Sequence, residues 1–282
     1  MKVIDTHCHY NLEPLYSGKK SHFSIKDDNH LLTMNWKDHW KNAVDKGVVG
    51  GVVVGSNIQT SLSGLKVAEE ESKIIAAIGV HPHHAEDLSL EKYKEFFEKH
   101  LPHEKIKAIG ETGLDYFRLE RNTEKFAKTK KTQHDLFKLQ IEIANKYGLP
   151  LIIHVRDNEE GAYWETLEIL RKNLDSKTKF VLHCVSGPTK YVQDAISMGA
   201  YIGFDGNITY KNAENIRNLF RLVPEEKLLI ETDAPYLPPL GYRGQVCEPW
   251  MVTEVAKYVE EEFSINLDTV FENSKKFFSY QF

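Results

Sequence analysis

The sequence predicts a (β/α)8 barrel of the TIM type, with parallel strands inside and helices outside, and three observations carry that prediction. Eight short apolar runs rich in Val and Ile are spread along the chain, segments with helical spacing separate them, and no G-x-G-x-x-G pattern follows the first run. Near-continuous apolar strands alternating with helices indicate a parallel sheet covered by helices. Eight such units favour closure into a barrel over an open doubly wound sheet, which normally carries that glycine pattern after its first strand. A chain of 282 residues is long for an ordinary domain of about 100 to 200, but α/β barrels reach about 250 as one unit. One domain spanning residues 1–282 is therefore expected.

The expected strands are Lys2 to Asp5, Val48 to Val54, Ile74 to Val80, Ile106 to Ile109, Leu149 to Val155, Phe180 to Leu182, Ala200 to Phe204 and Leu228 to Ile230. Between the fourth and fifth, Leu136, Leu139, Ile143 and Tyr147 share one helical face, and Gly148-Leu149-Pro150 stops that helix. Pro249 to Glu262 and Leu267 to Phe278 are expected to close the outer ring of helices. Two strand-to-helix connections read as long loops. Tyr10 to Met34 carries Tyr16, Lys19, Lys20, His22 and Phe23, and Thr112 to Lys131 carries Arg118, Arg121, Lys125, Lys128, Lys130 and Lys131 among Tyr116, Phe117 and Phe126. In a barrel of this kind both emerge at the catalytic face, where long loops serve substrate binding.

Composition narrows the class. An apolar fraction of 41% is enough for a large core, and no run approaches the roughly 18 apolar residues of a membrane span. Met1 to Asp5 lacks the apolar stretch of a signal peptide, so a cytoplasmic location is expected, with no membrane association and no obligate protein partner. Cys8, Cys184 and Cys247 lie far apart and read as free thiols. A net charge of −5 argues against a cationic, sequence-indifferent nucleic-acid binder, but not against a nuclease whose metal ions supply local positive charge.

The chemistry lies where the histidines and carboxylates fall. His7 and His9 end the first strand, Glu111 the fourth, His154 the fifth, His183 the sixth and Asp233 the eighth, all at carboxyl ends. Side chains alternate across a strand, so Asp5, His7 and His9 share one face and Thr6 and Cys8 the other. The same alternation is expected to place Ile109 beneath Glu111, Ile152 beneath His154, Val181 beneath His183 and Glu231 beneath Asp233, and to turn Cys8 and Cys184 away from the ligands. Any one of these histidines alone would read as a hydrogen-bonded core or surface residue, but six such groups at five strand ends read as metal ligands. Imidazole and carboxylate suit Zn, Mn, Fe, Ni or Co, and with enough carboxylate and water also Mg. Six ligands exceed the three of a typical catalytic zinc, which makes a two-ion site with a shared carboxylate the economical reading. His81, in Gly79-Val80-His81-Pro82-His83-His84, is a candidate substrate contact, His83 and His84 read as loop surface, and Glu231 reads as a buried partner of a ligand.

At these residues the sequence resembles the TatD-related deoxyribonuclease family, a branch of the metal-dependent amidohydrolase-like barrels. The resemblance runs through Ile4-Asp5-Thr6-His7-Cys8-His9, Gly79-Val80-His81-Pro82, Ile109-Gly110-Glu111-Thr112-Gly113-Leu114-Asp115-Tyr116, Pro150 to Asp157, His183-Cys184-Val185-Ser186-Gly187 and Glu231-Thr232-Asp233-Ala234-Pro235, nearly the whole chain. It implies that His7, His9 and Asp233 bind one divalent ion, that His154 and His183 bind a second, and that Glu111 bridges them. It also implies metal-dependent cleavage of DNA phosphodiesters, often from the 3′ end of single strands. In that scheme Asp233 accepts or holds the proton of the attacking water, with Mg, Mn or Zn as the ions. Arg156, two positions beyond His154, can pair with a phosphate oxygen or with Asp157.

Two departures from the family pattern bear on substrate. Gln245, Val246 and Cys247 stand where the family usually presents basic residues and an asparagine, and Asp205 stands where a serine is commoner. An added acid near a phosphate site weakens anion binding unless a metal offsets it. Two other readings stay open: a metallohydrolase on the same scaffold acting on an ester, amide or lactone of a small molecule or aminoacyl-RNA, and a non-catalytic barrel with a stabilising metal.

Overall fold

The computed structural model describes residues 2–21 and 29–282; His22 and Phe23 of the first long connection lie outside them. Eight parallel strands follow one another in sheet order: β1 (Val3–Cys8), β2 (Val48–Val54), β3 (Ile74–Ile78), β4 (Ile106–Asp115), β5 (Leu151–Arg156), β6 (Phe180–Leu182), β7 (Tyr201–Phe204) and β8 (Leu228–Ile230). An isolated parallel bridge between Cys8 and Ala234 joins the chain after β8 to β1. The Asp233 N–H donates to His7 O (2.9 Å) and the His9 N–H to Ala234 O (2.8 Å), which completes the ring. The TIM-type barrel is thus the observed fold. The outer helices are α1 (Trp36–Asp45), α2 (Ile58–Glu70), α3 (Leu90–His100), α4 (Glu124–Tyr147), α5 (Gly161–Asn173), α6 (Thr189–Ser197), α7 (Glu214–Phe220), α8 (Val252–Phe263) and α9 (Leu267–Phe278). None is long and apolar enough to cross a membrane.

Local chemistry sets the helix ends. Asn35 and Asp38 form a reciprocal capping box at α1, and the Asn57 side chain accepts from Thr60 N–H at α2. Gly148 ends α4 in the left-handed conformation (φ 65°), as the glycine–proline signal predicted. The start of α4 differs from expectation. Thr123 caps it by accepting from Phe126 N–H at 3.0 Å, so Lys125 to Lys131 lie on a helix and the loop after β4 shrinks to Tyr116–Thr123.

The barrel interior is layered. Val52, Val54, Ile75, Ala77, Ala108, Ile152, Val181, Tyr201 and Leu229 form a buried apolar cluster with Phe277 and Phe278. Alternation then carries Ile152 and Val181 beneath His154 and His183, as expected. On β4 the inward residue is Ala108, while Ile109 packs with the outer core. A register shift in the β4–β5 pairing between Ile109 and Thr112 breaks the strand's simple alternation and lets Glu111 face inward all the same. A polar tier therefore rests on an apolar one, at the carboxyl ends of the strands.

Candidate metal centre

The structure brings all six predicted residues together. His7 Nε2 and His9 Nε2 approach to 3.3 Å, and both face Asp233 Oδ1, at 3.6 and 3.4 Å. The His9 ring is fixed by Nδ1–H donating to Val54 O at 2.8 Å, which leaves the Nε2 lone pair pointing into the cluster. Across the mouth, Glu111 Oε1 lies 2.8 Å from His183 Nε2 and 3.1 Å from His154 Nδ1, whose nitrogens are 3.4 Å apart. Glu111 Oε2 points the other way, 3.9 Å from His7 Nε2. Two ligands about 2.1 Å from one tetrahedral ion are roughly 3.4 Å apart, so most of these separations match a pair of ligands on a shared cation.

The electrostatics agree with the geometry. His7, His9, Glu111 and His183 are buried, a costly arrangement for ionisable groups unless they are paired or coordinate a metal. Burial pushes Glu111 upward, but His81, His183 and His154 outweigh it and hold the carboxyl well below its usual range. Burial pushes His183 down, yet Glu111 and Glu231 raise it well above its ordinary value. His9 and His154 are also raised against burial, by Asp233 and by Asp115 and Glu111 respectively. Burial pushes His7 and His81 the other way, so the carboxylates of the cluster draw positive charge onto three of its imidazoles, a role divalent cations can fill as well.

A surrounding set of acids holds the rings. Asp115 Oδ2 is 3.0 Å from His154 Nε2, a hydrogen bond that leaves Nδ1 for the cluster. The same oxygen is 3.0 Å from His83 Nε2, so His83 is tied into the site rather than lying idle on the loop surface. Glu231 Oε1 accepts the Cys184 N–H at 2.6 Å and faces His183 Nδ1 at 3.5 Å, the supporting place expected of it. Asp5 serves the segment after β8 instead, accepting from Thr232 N–H (3.0 Å) and Thr232 Oγ1–H (2.7 Å). Sequence reasoning missed Asp115 as a site residue because it ended the fourth strand at Ile109, whereas β4 runs on to Asp115.

The other predicted residues divide. His81 Nδ1 accepts from His83 N–H (3.1 Å), which directs the protonated Nε2 toward Glu111 Oε1 at 3.7 Å, at the edge of the cluster. Arg156 is exposed and forms no salt bridge to Asp157, whose Oδ1 is taken by Arg121; its guanidinium lies 3.8 Å from the centre of the Phe117 ring. Of the basic residues after β4, Lys130 is paired with Glu165 and Lys131 with Asp135, and Tyr116 is buried with its hydroxyl on Glu165 and His134. Cys8 donates to Val52 O in the outer core, and neither it nor Cys184 enters a metal-type cluster among the described residues. Val246 and Cys247 are buried packing residues, and of that segment Gln245 alone is exposed. Asp205 is fully buried, with Oδ1 accepting from Asn207 N–H at 2.8 Å, and it lies near enough to Glu231 and Asp233 for their charges to act on it.

A parallel α/β barrel with a histidine- and carboxylate-lined mouth defines the class: a barrel equipped for metal-assisted chemistry at the carboxyl ends of its strands. The chain belongs to the TatD related DNase family, whose model matches residues 4–279. It is 34% identical to a Bacillus subtilis (strain 168) protein named uncharacterized metal-dependent hydrolase YabD, over 80% of this chain and 86% of that one. It is 32% identical to the Escherichia coli (strain K12) protein named uncharacterized metal-dependent hydrolase YcfH, over 92% and 87%. Among solved structures, YJJV, a TatD homologue from Escherichia coli K12, superposes with a TM-score of 0.79 at 26% identity, covering 99% of this chain and 98% of that one.

Proposed function

We propose that this protein is a divalent-metal-dependent deoxyribonuclease acting on single-stranded DNA as a 3′-5′ exonuclease. The observation that carries the two-ion reading is the division of Glu111, with Oε1 on the His154–His183 pair and Oε2 toward His7. In this reading His7, His9 and Asp233 would hold one ion and His154 and His183 the other, with Glu111 shared between them. Mg, Mn or Zn would supply Lewis acidity, easing deprotonation of water and stabilising charge on the attacked phosphoryl group.

The chain's own groups do the rest. The Asp233 side chain is 15% exposed, more open than the histidines beside it, and is the group placed to take the proton of the attacking water. Its backbone is held by Asp233 N–H donating to His7 O and Tyr236 N–H donating to Asp233 O (2.8 Å). His81 Nε2–H faces the cluster as a donor to a phosphoryl oxygen. Asp115, hydrogen-bonded to Nε2, keeps His154 in the tautomer that presents Nδ1 to the site, and the Glu231 carboxylate faces His183 Nδ1 at 3.5 Å.

A second reading has support of its own. With Arg121, Lys130 and Lys131 neutralised by acids of the same chain, the mouth offers less positive surface than a long nucleic acid would use, which favours a small ester or amide substrate. The test is to incubate metal-loaded protein with 3′- and 5′-labelled single strands, duplex DNA, RNA, and ester and amide model substrates, with Asp233→Asn as control. Stepwise shortening of single-stranded DNA from the 3′ end, lost in the control, supports the nuclease. DNA left intact beside Asp233-dependent ester or amide turnover overturns it.

A further inference from the structure

The cation at position 156 is built into the rim. Arg156 is the last residue of β5, and its carbonyl accepts the Tyr116 N–H at 2.8 Å. Its guanidinium lies against Phe117 at 3.8 Å from the ring centre, and the Phe117 carbonyl is in turn held by Asn158 Nδ2–H at 2.9 Å. The adjacent acid, Asp157, is occupied by Arg121 and by the Glu159 and Ala162 N–H groups. Among the described residues Arg156 therefore has no ion-pair partner, and contact with a ring face leaves the N–H edge of a guanidinium available to an anion.

Its place along the strand decides what that anion is. Arg156 follows His154 on the same face of β5, and two strand residues advance about 6.6 Å. That is of the order of the separation between successive phosphates along a nucleic-acid strand, which exceeds the roughly 3.4 Å axial rise per nucleotide because the backbone winds around the axis. Resting on the nuclease reading above, we propose that Arg156, seated on Phe117, binds the phosphate next to the scissile one. The preferred substrate is then an oligonucleotide with a charged neighbouring linkage, not an isolated phosphodiester. Phe117 is a positioning residue that acts through Arg156.

The experiment uses the full metal-loaded chain and a short single strand. The linkage immediately 5′ of the cleaved terminal bond is replaced by a neutral methylphosphonate. Wild type is expected to lose roughly 10- to 100-fold in kcat/KM, mainly through KM, when that linkage is neutralised, the range for a lost charge-assisted contact. Arg156→Gln should show a similar loss on the native strand and little further loss on that neutral strand. Arg156→Lys should recover part of it, Phe117→Leu should raise KM more than it changes kcat, and Phe117→Trp should restore binding. Arg156→Gln and methylphosphonate losses that multiply, or an Arg156→Gln enzyme with wild-type kinetics, would overturn the proposal and leave the nuclease standing. A wild-type protein that cuts no oligonucleotide but turns over an ester or amide would remove both.

Discussion

Replacing Asp115 by alanine takes away a carboxylate oxygen that holds two imidazoles, His154 through Nε2 and His83 through Nε2, each at 3.0 Å. Burial alone would push Asp115 upward, but hydrogen bonds from His154 and His83 dominate and hold it well below the usual carboxylate range, so it is ionised at neutral pH. Without it the His154 ring is free to rotate or change tautomer, and Nδ1 no longer stands ready for an ion. Loss of such a supporting acid lowers metal affinity about 10- to 100-fold, or roughly 1.4 to 2.7 kcal/mol. Chelator competition and calorimetry of the apo protein should therefore show one ion weakened by that factor and the ion near His7 and His9 less affected. His83→Ala, which leaves the Asp115–His154 bond intact, should weaken it less. Unchanged affinity for both ions in Asp115→Ala would refute the claim that this acid orients His154.

Three further outcomes follow from the packing and charge around the site. A Cβ at Gly203 would lie 2.5 Å from Glu231 Oε2 and 2.8 Å from its carboxyl carbon, so Gly203→Ala should dislodge the group facing His183 and cut metal affinity about tenfold or more, read by the same chelator competition. Burial pushes the Asp205 carboxyl up from 3.8 to about 7, and Glu231 and Asp233 push it further against the hydrogen bonds that lower it. Between those values the folded state binds more protons than the unfolded, so this group's contribution to stability falls as pH rises through that window. Asp205→Asn should accordingly raise the melting temperature of the apo protein at pH 8 more than at pH 4, and an equal shift at both would contradict it. Ile152→Ala, which empties part of the apolar tier under His154, should destabilise by about 2 to 5 kcal/mol in denaturant titration.

Most of the fold and the convergence of the six side chains were legible because both rest on short-period patterns. Alternation along β5 and β6 correctly placed His154 over Ile152 and His183 over Val181, and Gly148 ended α4 where its backbone freedom was needed. The sequence was least informative along β4. Gly110-Glu111-Thr112-Gly113-Leu114-Asp115 lacks an apolar run, so the strand looked finished at Ile109, and a register shift that only the pairing with β5 reveals moved Ala108 inward instead. The basic segment after it read as a loop because lysines carry no apolar period, whereas Thr123 starts a helix there. Pairings through space, such as Arg121 with Asp157 and Asp115 with His83, join residues 36 and 32 positions apart by sequence number and leave no local trace.

The central claim is a two-ion centre bridged by Glu111, and ion content per chain tests it most directly. Elemental analysis of purified, metal-saturated protein should give two divalent ions for wild type, one for His9→Ala and one for His154→Ala, and weakened retention of both for Glu111→Ala. A wild-type content of one ion, or two ions retained after joint His7→Ala and His9→Ala substitution, would contradict the account.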